Sequence, residues 1–245
     1  MVFEHNKTYF GDCLELMDMV PDKSVPMIFT DLPFGTTKCH WDSVINLPRL
    51  WSHYERIIKD NGVILLFAQT PFDKVLGASN LKLLRYEWIW EKTSATGHYN
   101  AKKMPMKAHE NILVFYKNLP TYNPQMTHDH VRKVSKAEHK INCKESEVYN
   151  KSKKKTTYDS TDRYPRDVLK FPSDKQKSKL HSCQKPLALC KYMINTYSNP
   201  GDLVLDNCSG SGTIGLAAQE LDRPYIMMEN DENFFDVSKQ RVHEN

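Results

Sequence analysis

Short apolar runs alternate with amphipathic stretches along the first half of the chain. Residues Val25–Thr30 (VPMIFT) predict a buried strand that ends at Asp31, and residues 63–68 (VILLFA) form a continuous apolar run of the kind buried on both faces of a sheet. Between them, apolar residues at helical spacing predict a helix over 46–59, which Asp-Asn-Gly at 60–62 is expected to end. This strand-helix-strand order predicts an α/β domain with a largely parallel sheet.

The same alternation continues after an interruption. From 119 to 180 the apolar periodicity fades and Lys, Ser, Thr, Asn and Asp dominate, so we predict an insertion there, between domain halves at 1–118 and 181–245. Aromatic, β-branched and apolar runs predict strands outside it, and amphipathic runs predict helices. The predicted strands are 86–90, 112–116, 203–206 and 225–228, and the predicted helices are 186–195, 213–221 and 232–242.

Charge is distributed unevenly along the chain. Its 245 residues suit one catalytic domain with an insertion, and the net charge is only +4. Residues 131–185, however, contain 16 Lys and Arg against seven Asp and Glu, a net charge of +9. Such a block is typical of a polyanion-binding surface and equally of a solvated loop.

The cysteines and histidines favour neither disulfides nor a metal. The six cysteines include no CxxC pair, and neither Cys39-His40 nor His128-x-His130 has a partner pair at ligand spacing, so we predict no metal site. The chain has no apolar run of membrane-spanning length and no basic-then-apolar start. We therefore expect a cytoplasmic protein.

Residues 204–217 (VLDNCSGSGTIGLA) place a strand, an acid, a glycine-bearing loop and a helix in immediate succession. Gly210 and Gly212 allow close approach of a ligand, the helix start offers free N–H groups to a carboxylate, and Glu229 follows at a spacing suited to ribose hydroxyls. Similar loops also form plain turns or bind nicotinamide and flavin cofactors, and the full G-x-G-x-x-G form is absent.

The tetrapeptide Asp31-Leu32-Pro33-Phe34 at the end of the first predicted strand is more specific. It resembles the D-P-P-Y/F motif of DNA amino-methyltransferases, with leucine in place of the first proline. Three other segments also resemble motifs of that family, namely G-D-x-L-E at 11–15, H-E-x-I-L-V-F at 109–115 and H-x-x-Q-K-P at 181–186. Their order resembles the permuted class, in which the tetrapeptide precedes the cofactor loop.

The resemblance implies a Rossmann-like fold with S-adenosylmethionine as cofactor, a mostly parallel seven-stranded sheet, helices on both faces and a basic target-recognition insertion. The tetrapeptide and the glycine loop should then meet at one edge of the sheet. The implied cofactor-binding residues are Asp12, Cys13, Asp31, Lys185, Asp206, Ser209, Gly210, Ser211, Gly212, Thr213, Glu229 and Asn230.

The resemblance also implies the chemistry. The Asp31 carboxylate and the Leu32 carbonyl would each accept a hydrogen bond from the N6 amine of a flipped-out adenine, Pro33 would stiffen the loop, and Phe34 would stack on the base. Asp in the first position favours adenine over cytosine N4 in this family. A cytosine N4 or RNA methyltransferase, a non-catalytic DNA-binding module and a nicotinamide-dependent oxidoreductase are the alternatives.

Double-stranded DNA is the implied partner, and a homodimer is compatible with one small recognition region per chain. Basic side chains in the insertion are the predicted DNA contacts. They are Lys151, Lys153, Lys154, Lys155, Arg163 and Arg166.

Overall fold

The computed structural model describes residues 3–37, 39, 42–135, 157–174 and 184–243. Within these residues the strands are β1 (Lys7–Phe10), β2 (Val25–Thr30), β3 (Ile58–Ala68), β4 (Leu84–Thr96), β5 (Lys107–Phe115), β6 (Lys133–Ser135), β7 (Tyr158–Ser160), β8 (Val168–Phe171), β9 (Val204–Asp206) and β10 (Tyr225–Glu229). The helices are α1 (Cys13–Met17), α2 (Leu47–Ile57), α3 (Phe72–Ser79), α4 (Leu187–Tyr197), α5 (Thr213–Gln219) and α6 (Glu232–His243), and a 3-10 turn spans His98–Asn100.

Eight of these strands form one mixed sheet in the order β1-β10-β9-β2-β3-β5-β4-β8. Neighbours from β1 to β3 are parallel, β5 runs antiparallel to both β3 and β4, and β8 is parallel to β4. All eight strands except β5 therefore point the same way. Their carboxyl ends meet at one edge, where ligands bind in open α/β sheets.

Two apolar layers cover the sheet. Ile64 and Leu66 of β3 belong to one buried cluster, while Leu65 and Phe67 belong to the other. Alternate side chains of a strand point to opposite faces, so the continuous apolar run at 63–68 fills both layers. This confirms the prediction of a strand buried on both sides.

The predicted elements are confirmed, apart from one turn, with small changes at most of their ends; β3, β4 and β5 are longer than predicted by five or six residues at one end. The turn predicted at 60–62 is wrong, because these residues lie within β3, which begins directly after α2. A β-carbon on Gly62 would lie 2.9 Å from the Pro26 carbonyl oxygen, so the glycine permits close approach of β2 rather than a reversal of the chain. The sheet has eight described strands, not seven, because β8 joins it from within the predicted insertion.

The chain divides into two compact units, one made of residues 1–123 and 167–245 and the other of residues 124–166. The main sheet belongs to the first unit. In the second, β6 and β7 form an antiparallel pair, and Arg132 makes a two-pronged contact with Asp159. None of the described helices is both long and apolar enough to cross a bilayer.

Candidate active site

Three carboxylates meet at the carboxyl edge of the parallel strands. Asp31 follows β2, while Asp206 and Glu229 are the last residues of β9 and β10. All three line one cavity of about 410 Å³, together with the glycine loop residues Ser209 and Gly210. The predicted meeting of the tetrapeptide and the cofactor loop at one edge is confirmed.

The tetrapeptide forms one wall of this cavity. Leu32 is only 3% exposed and packs into the apolar layer, which gives the leucine at the family's proline position a structural role. Phe34 stacks on Phe72 with ring centroids 5.4 Å apart. The Phe34 ring, which is expected to contact a base, is thus supported by packing against Phe72.

Asp31 is held in place by a buried lysine. Its Oδ2 lies 2.6 Å from Nζ of Lys185, while among the described residues its Oδ1 has no hydrogen-bond partner. Burial raises the pKa of Asp31 to about 6, although the charge of Lys185 opposes this rise. The carboxylate is therefore mostly ionised near neutral pH and keeps one oxygen available as an acceptor.

Lys185 belongs to a buried chain of alternating charges. Its Nζ also lies 3.2 Å from Oε2 of Glu110, whose Oε1 is 2.6 Å from Nζ of Lys92. Burial alone would raise the pKa of Glu110, but the two lysines outweigh it and lower that pKa. A cofactor contact of Lys185 stays a prediction, whereas its contact with the Asp31 carboxylate is direct.

Asp42 organises the loop that follows the tetrapeptide. Its carboxylate accepts hydrogen bonds from the backbone N–H groups of Gly35, Thr36 and Thr37, at 2.7 to 2.9 Å. Burial would raise its pKa, but the Thr37 hydroxyl and these three N–H donors lower it. Sequence reasoning assigned no role to Asp42, Glu110 or Lys92, although Glu110 lies in the H-E-x-I-L-V-F segment at 109–115.

The glycine loop has the conformation that its sequence predicts. Gly210 and Gly212 have φ of +51° and +74°, a region that favours glycine. A β-carbon on Gly210 would meet nothing within 4 Å, so its backbone is open to a ligand. Gly212 is packed against Ser238 of α6 instead and is not among the residues that line the cavity.

Glu229 braces this loop. Its Oε2 accepts a hydrogen bond from Gly210 N at 2.7 Å, and its Oε1 accepts from the N–H groups of Asn230 and Asp231. A carboxylate has about four acceptor sites, so roughly one remains for an incoming hydroxyl. Burial raises the pKa of Asp206 to about 7 and also raises the pKa of Glu229.

The remaining predicted cofactor residues also face the cavity. Asp12 caps α1 by accepting a hydrogen bond from Leu14 N at 2.7 Å, so its position is fixed by the helix start. Apart from Gly212, every predicted catalytic and cofactor-binding residue contributes to the lining, and Trp90, Gln69 and Phe234 add to it. Those not yet named here are Cys13, Pro33, Ser211 and Thr213.

The predicted DNA contacts belong to the other unit or lie outside the described residues. Lys151, Lys153, Lys154 and Lys155 are outside them. Arg166 is exposed. The guanidinium of Arg163 donates to the Ser160, Asp162 and Val131 carbonyls and thereby links the described segments 124–135 and 157–166; its contact with DNA stays a prediction.

Comparison with known proteins decides the family. The family model described as DNA methylase, for N6 and N4 methyltransferases, matches residues 25–240. The chain belongs to the N6/N4 DNA methylase family. The Type II methyltransferase M2.MboI of Moraxella bovis is 29% identical over 266 aligned residues, covering 96% of this chain and 87% of that relative.

Solved structures show the same fold. The M1.HpyAVI–SAM complex is 22% identical, covers 96% of this chain and 98% of that chain, and superposes with a TM-score of 0.66. The cytosine-N4-specific PvuII DNA methyltransferase is 17% identical, covers 98% and 87%, and has a TM-score of 0.69. The predicted Rossmann-like methyltransferase fold is confirmed, and this DNA methylase carries its tetrapeptide before its glycine loop.

Proposed function

We propose that this DNA methylase transfers a methyl group from S-adenosylmethionine to N6 of an adenine flipped out of double-stranded DNA. The observation that carries the proposal is the Asp31 carboxylate in the cavity wall. One oxygen is anchored by Lys185, and the other, Oδ1, has no partner among the described residues. An exocyclic amine would supply the missing donor.

The glycine loop fits the methionine part of the cofactor. Gly210 leaves space beside its backbone, and Ser209 Oγ is buried with no hydrogen-bond partner in the described part of the chain. A ligand carboxylate or amine would satisfy such groups. Asp12 and Glu229 would hold the nucleoside part, and the cofactor supplies an electrophilic methyl group on a sulfonium.

The protein's contribution to the reaction is positioning and electrostatics. Asp31 Oδ1 and the Leu32 carbonyl oxygen would each accept one N6–H bond, which draws the amine lone pair out of conjugation with the ring. Phe34, supported by Phe72, would stack on the base and offset part of an unstacking cost of a few kcal/mol. Methyl transfer would form the N–CH₃ bond as the S–CH₃ bond breaks. N6 would then carry an extra proton, which the Asp31 carboxylate would accept.

Adenine is proposed over cytosine because aspartate opens the tetrapeptide. The test is nucleoside mass spectrometry of unmethylated genomic DNA and of RNA after incubation with the chain and cofactor, with Asp31→Ala as the inactive control. We expect N6-methyladenine in DNA from the parent alone. N4-methylcytosine as the sole product would refute the choice of base, and methylated RNA with unchanged DNA would refute the substrate.

The basic insertion at 119–180 is proposed to bind DNA phosphates. Replacing Lys153, Lys154 and Lys155 by alanine should weaken DNA binding and reduce the slope of log K against log salt by about 2 to 3, because each lost phosphate contact removes about 0.9. Lys74→Ala serves as the control, because it removes an exposed lysine of α3 that lies outside the basic insertion. An unchanged slope in the triple variant would reject this role.

A further inference from the structure

The hairpin that joins β4 to β5 extends beyond the sheet with a defined tip. The last paired residues are Thr96 and Lys107, and Gly97 turns the chain with φ of +90°. Backbone hydrogen bonds from Asn100 N to the Gly97 carbonyl and from Lys103 N to the Asn100 carbonyl follow. The tip at 97–106 is therefore a structured element, able to present side chains in fixed positions.

The tip exposes large apolar side chains among positive charges. Tyr99 is 91% exposed and Met104 is 54% exposed. Lys102 and Lys103 lie between them in sequence, and the stretch 92–109 contains four lysines and no acidic residue. Exposed aromatic and apolar side chains with adjacent cations suit a partner that combines flat rings with negative charge, which is the chemistry of nucleic acid.

The hairpin is placed next to the target cavity. Because β4 runs in the same direction as β2, its carboxyl end lies at the edge that holds Asp31. Thr96 itself lines the cavity. Beyond it, Lys107 Nζ lies 3.4 Å from Gln69 Oε1, and Gln69 Nε2 donates to Oγ1 of Thr36 in the loop after the tetrapeptide.

We propose that this tip is a DNA-contacting wedge that compensates for the flipped base. Tyr99 and Met104 stack against the bases exposed when the target leaves the duplex, and Lys102 and Lys103 contact the flanking phosphates. The inference rests on the proposed function and adds a DNA surface outside the basic insertion. The hairpin should therefore matter most for methylation of a target base that is paired within the duplex.

The test compares two duplexes that carry the same mapped target site. In one the target base is paired, and in the other it lies opposite an abasic position, where less stacking and pairing must be broken. For the Tyr99→Ala/Met104→Ala variant we expect kcat/KM to fall roughly tenfold to a hundredfold on the paired duplex and less than about threefold on the abasic one. Leu81→Ala is the matched control, since Leu81 is 69% exposed and precedes the opposite end of β4.

The phosphate contacts are tested separately. Lys102→Ala/Lys103→Ala should reduce the slope of log KM against log salt by about 1.8, and Lys82→Ala should leave it unchanged. Equal losses of the apolar variant on both duplexes, or no loss on either, would overturn the wedge. So would a change in oligomeric state in that variant, which would assign the tip to a second copy of the chain.

The outcome is distinguishable from failure of the proposed function. If the parent chain methylates no DNA, the proposed function fails. If the parent is active and the Tyr99→Ala/Met104→Ala variant is equally active on the paired duplex, the wedge alone is refuted. Unchanged cofactor binding by calorimetry confirms that each variant is folded.

Discussion

Replacing Lys185 with methionine should move the acid limb of the pH profile. Methionine has a similar length and no charge, and Nζ of Lys185 lies 2.6 Å from Asp31 Oδ2. With Lys185 present, the pKa of Asp31 is about 6. A neighbouring opposite charge lowers a carboxyl pKa by roughly 1 to 3, so its removal should bring that pKa to between about 7 and 9.

The sign and size of the effect follow from the role of the carboxylate. In the proposed reaction Asp31 must be ionised, so activity should rise with pH through its pKa, and a higher pKa should shift the acid limb to higher pH. If the variant pKa is roughly 8, the methyl-transfer rate should fall about fiftyfold at pH 6 and about fourfold at pH 7.5, with little loss near pH 9.5.

Single-turnover transfer of a labelled methyl group at pH 5.5 to 9.5 measures this directly, because product release does not contribute. Lys191→Met is the matched control, since Lys191 lies on α4, which begins two residues after Lys185, and pairs with Glu220 at the surface. Lys185→Arg should restore most of the parent profile. A Lys185→Met profile that coincides with that of the parent would refute the argument that Lys185 keeps Asp31 ionised.

Four further substitutions test the site and the packing of two helices. Asp31→Ala should abolish methyl transfer and leave the cofactor dissociation constant, measured by calorimetry, within about threefold of the parent; an active variant would refute the catalytic role. Asp42→Ala leaves three N–H groups without their acceptor, so kcat should fall about tenfold to a hundredfold, with cofactor binding unchanged. The free energy of unfolding in urea should fall by about 1–3 kcal/mol. A parent-like kcat would show that the loop does not need Asp42 as an anchor. Gly215→Ala places a β-carbon against Sδ of buried Met227 and 2.8 Å from its Cε, which should cost about 1–3 kcal/mol in the same urea assay. At Gly77 the nearest atom would be 3.5 Å away, so Gly77→Ala should be neutral or stabilising, and equal losses in both variants would contradict the packing argument.

The sequence predicted the parts of the fold that depend on local pattern. Strand β2 was predicted with its observed bounds because its sequence is almost entirely apolar, as expected of a strand whose residues are nearly all buried. The Asp-Asn-Gly turn failed because Gly62 is selected by contact with β2, a neighbour that the local pattern does not identify. Strand β8 was missed because it is short and only half-buried, and its pairing with β4 depends on tertiary contacts.

The site divides in the same way. Asp31, Gly210 and Glu229 could be predicted because each follows a recognisable strand, and parallel strands bring their carboxyl ends to one edge. Asp42 and Glu110 act through partners that are seven and 75 residues away in sequence, at Gly35 and Lys185. Such pairings depend on how the loops fold over the sheet, so residue type and spacing did not reveal them.

The pairing of β1 with β10 has a consequence for how the molecule assembles. Lys7 lies opposite Ile226, so the first strand pairs with a segment synthesised more than two hundred residues later. The central strand β2 likewise pairs with β9, which is also synthesised much later. Contacts of such long range slow folding, and a chain emerging from the ribosome cannot complete its cofactor pocket until nearly all of it has been translated. Catalytic competence should therefore appear in one late step, and partial translation products should bind neither donor nor base.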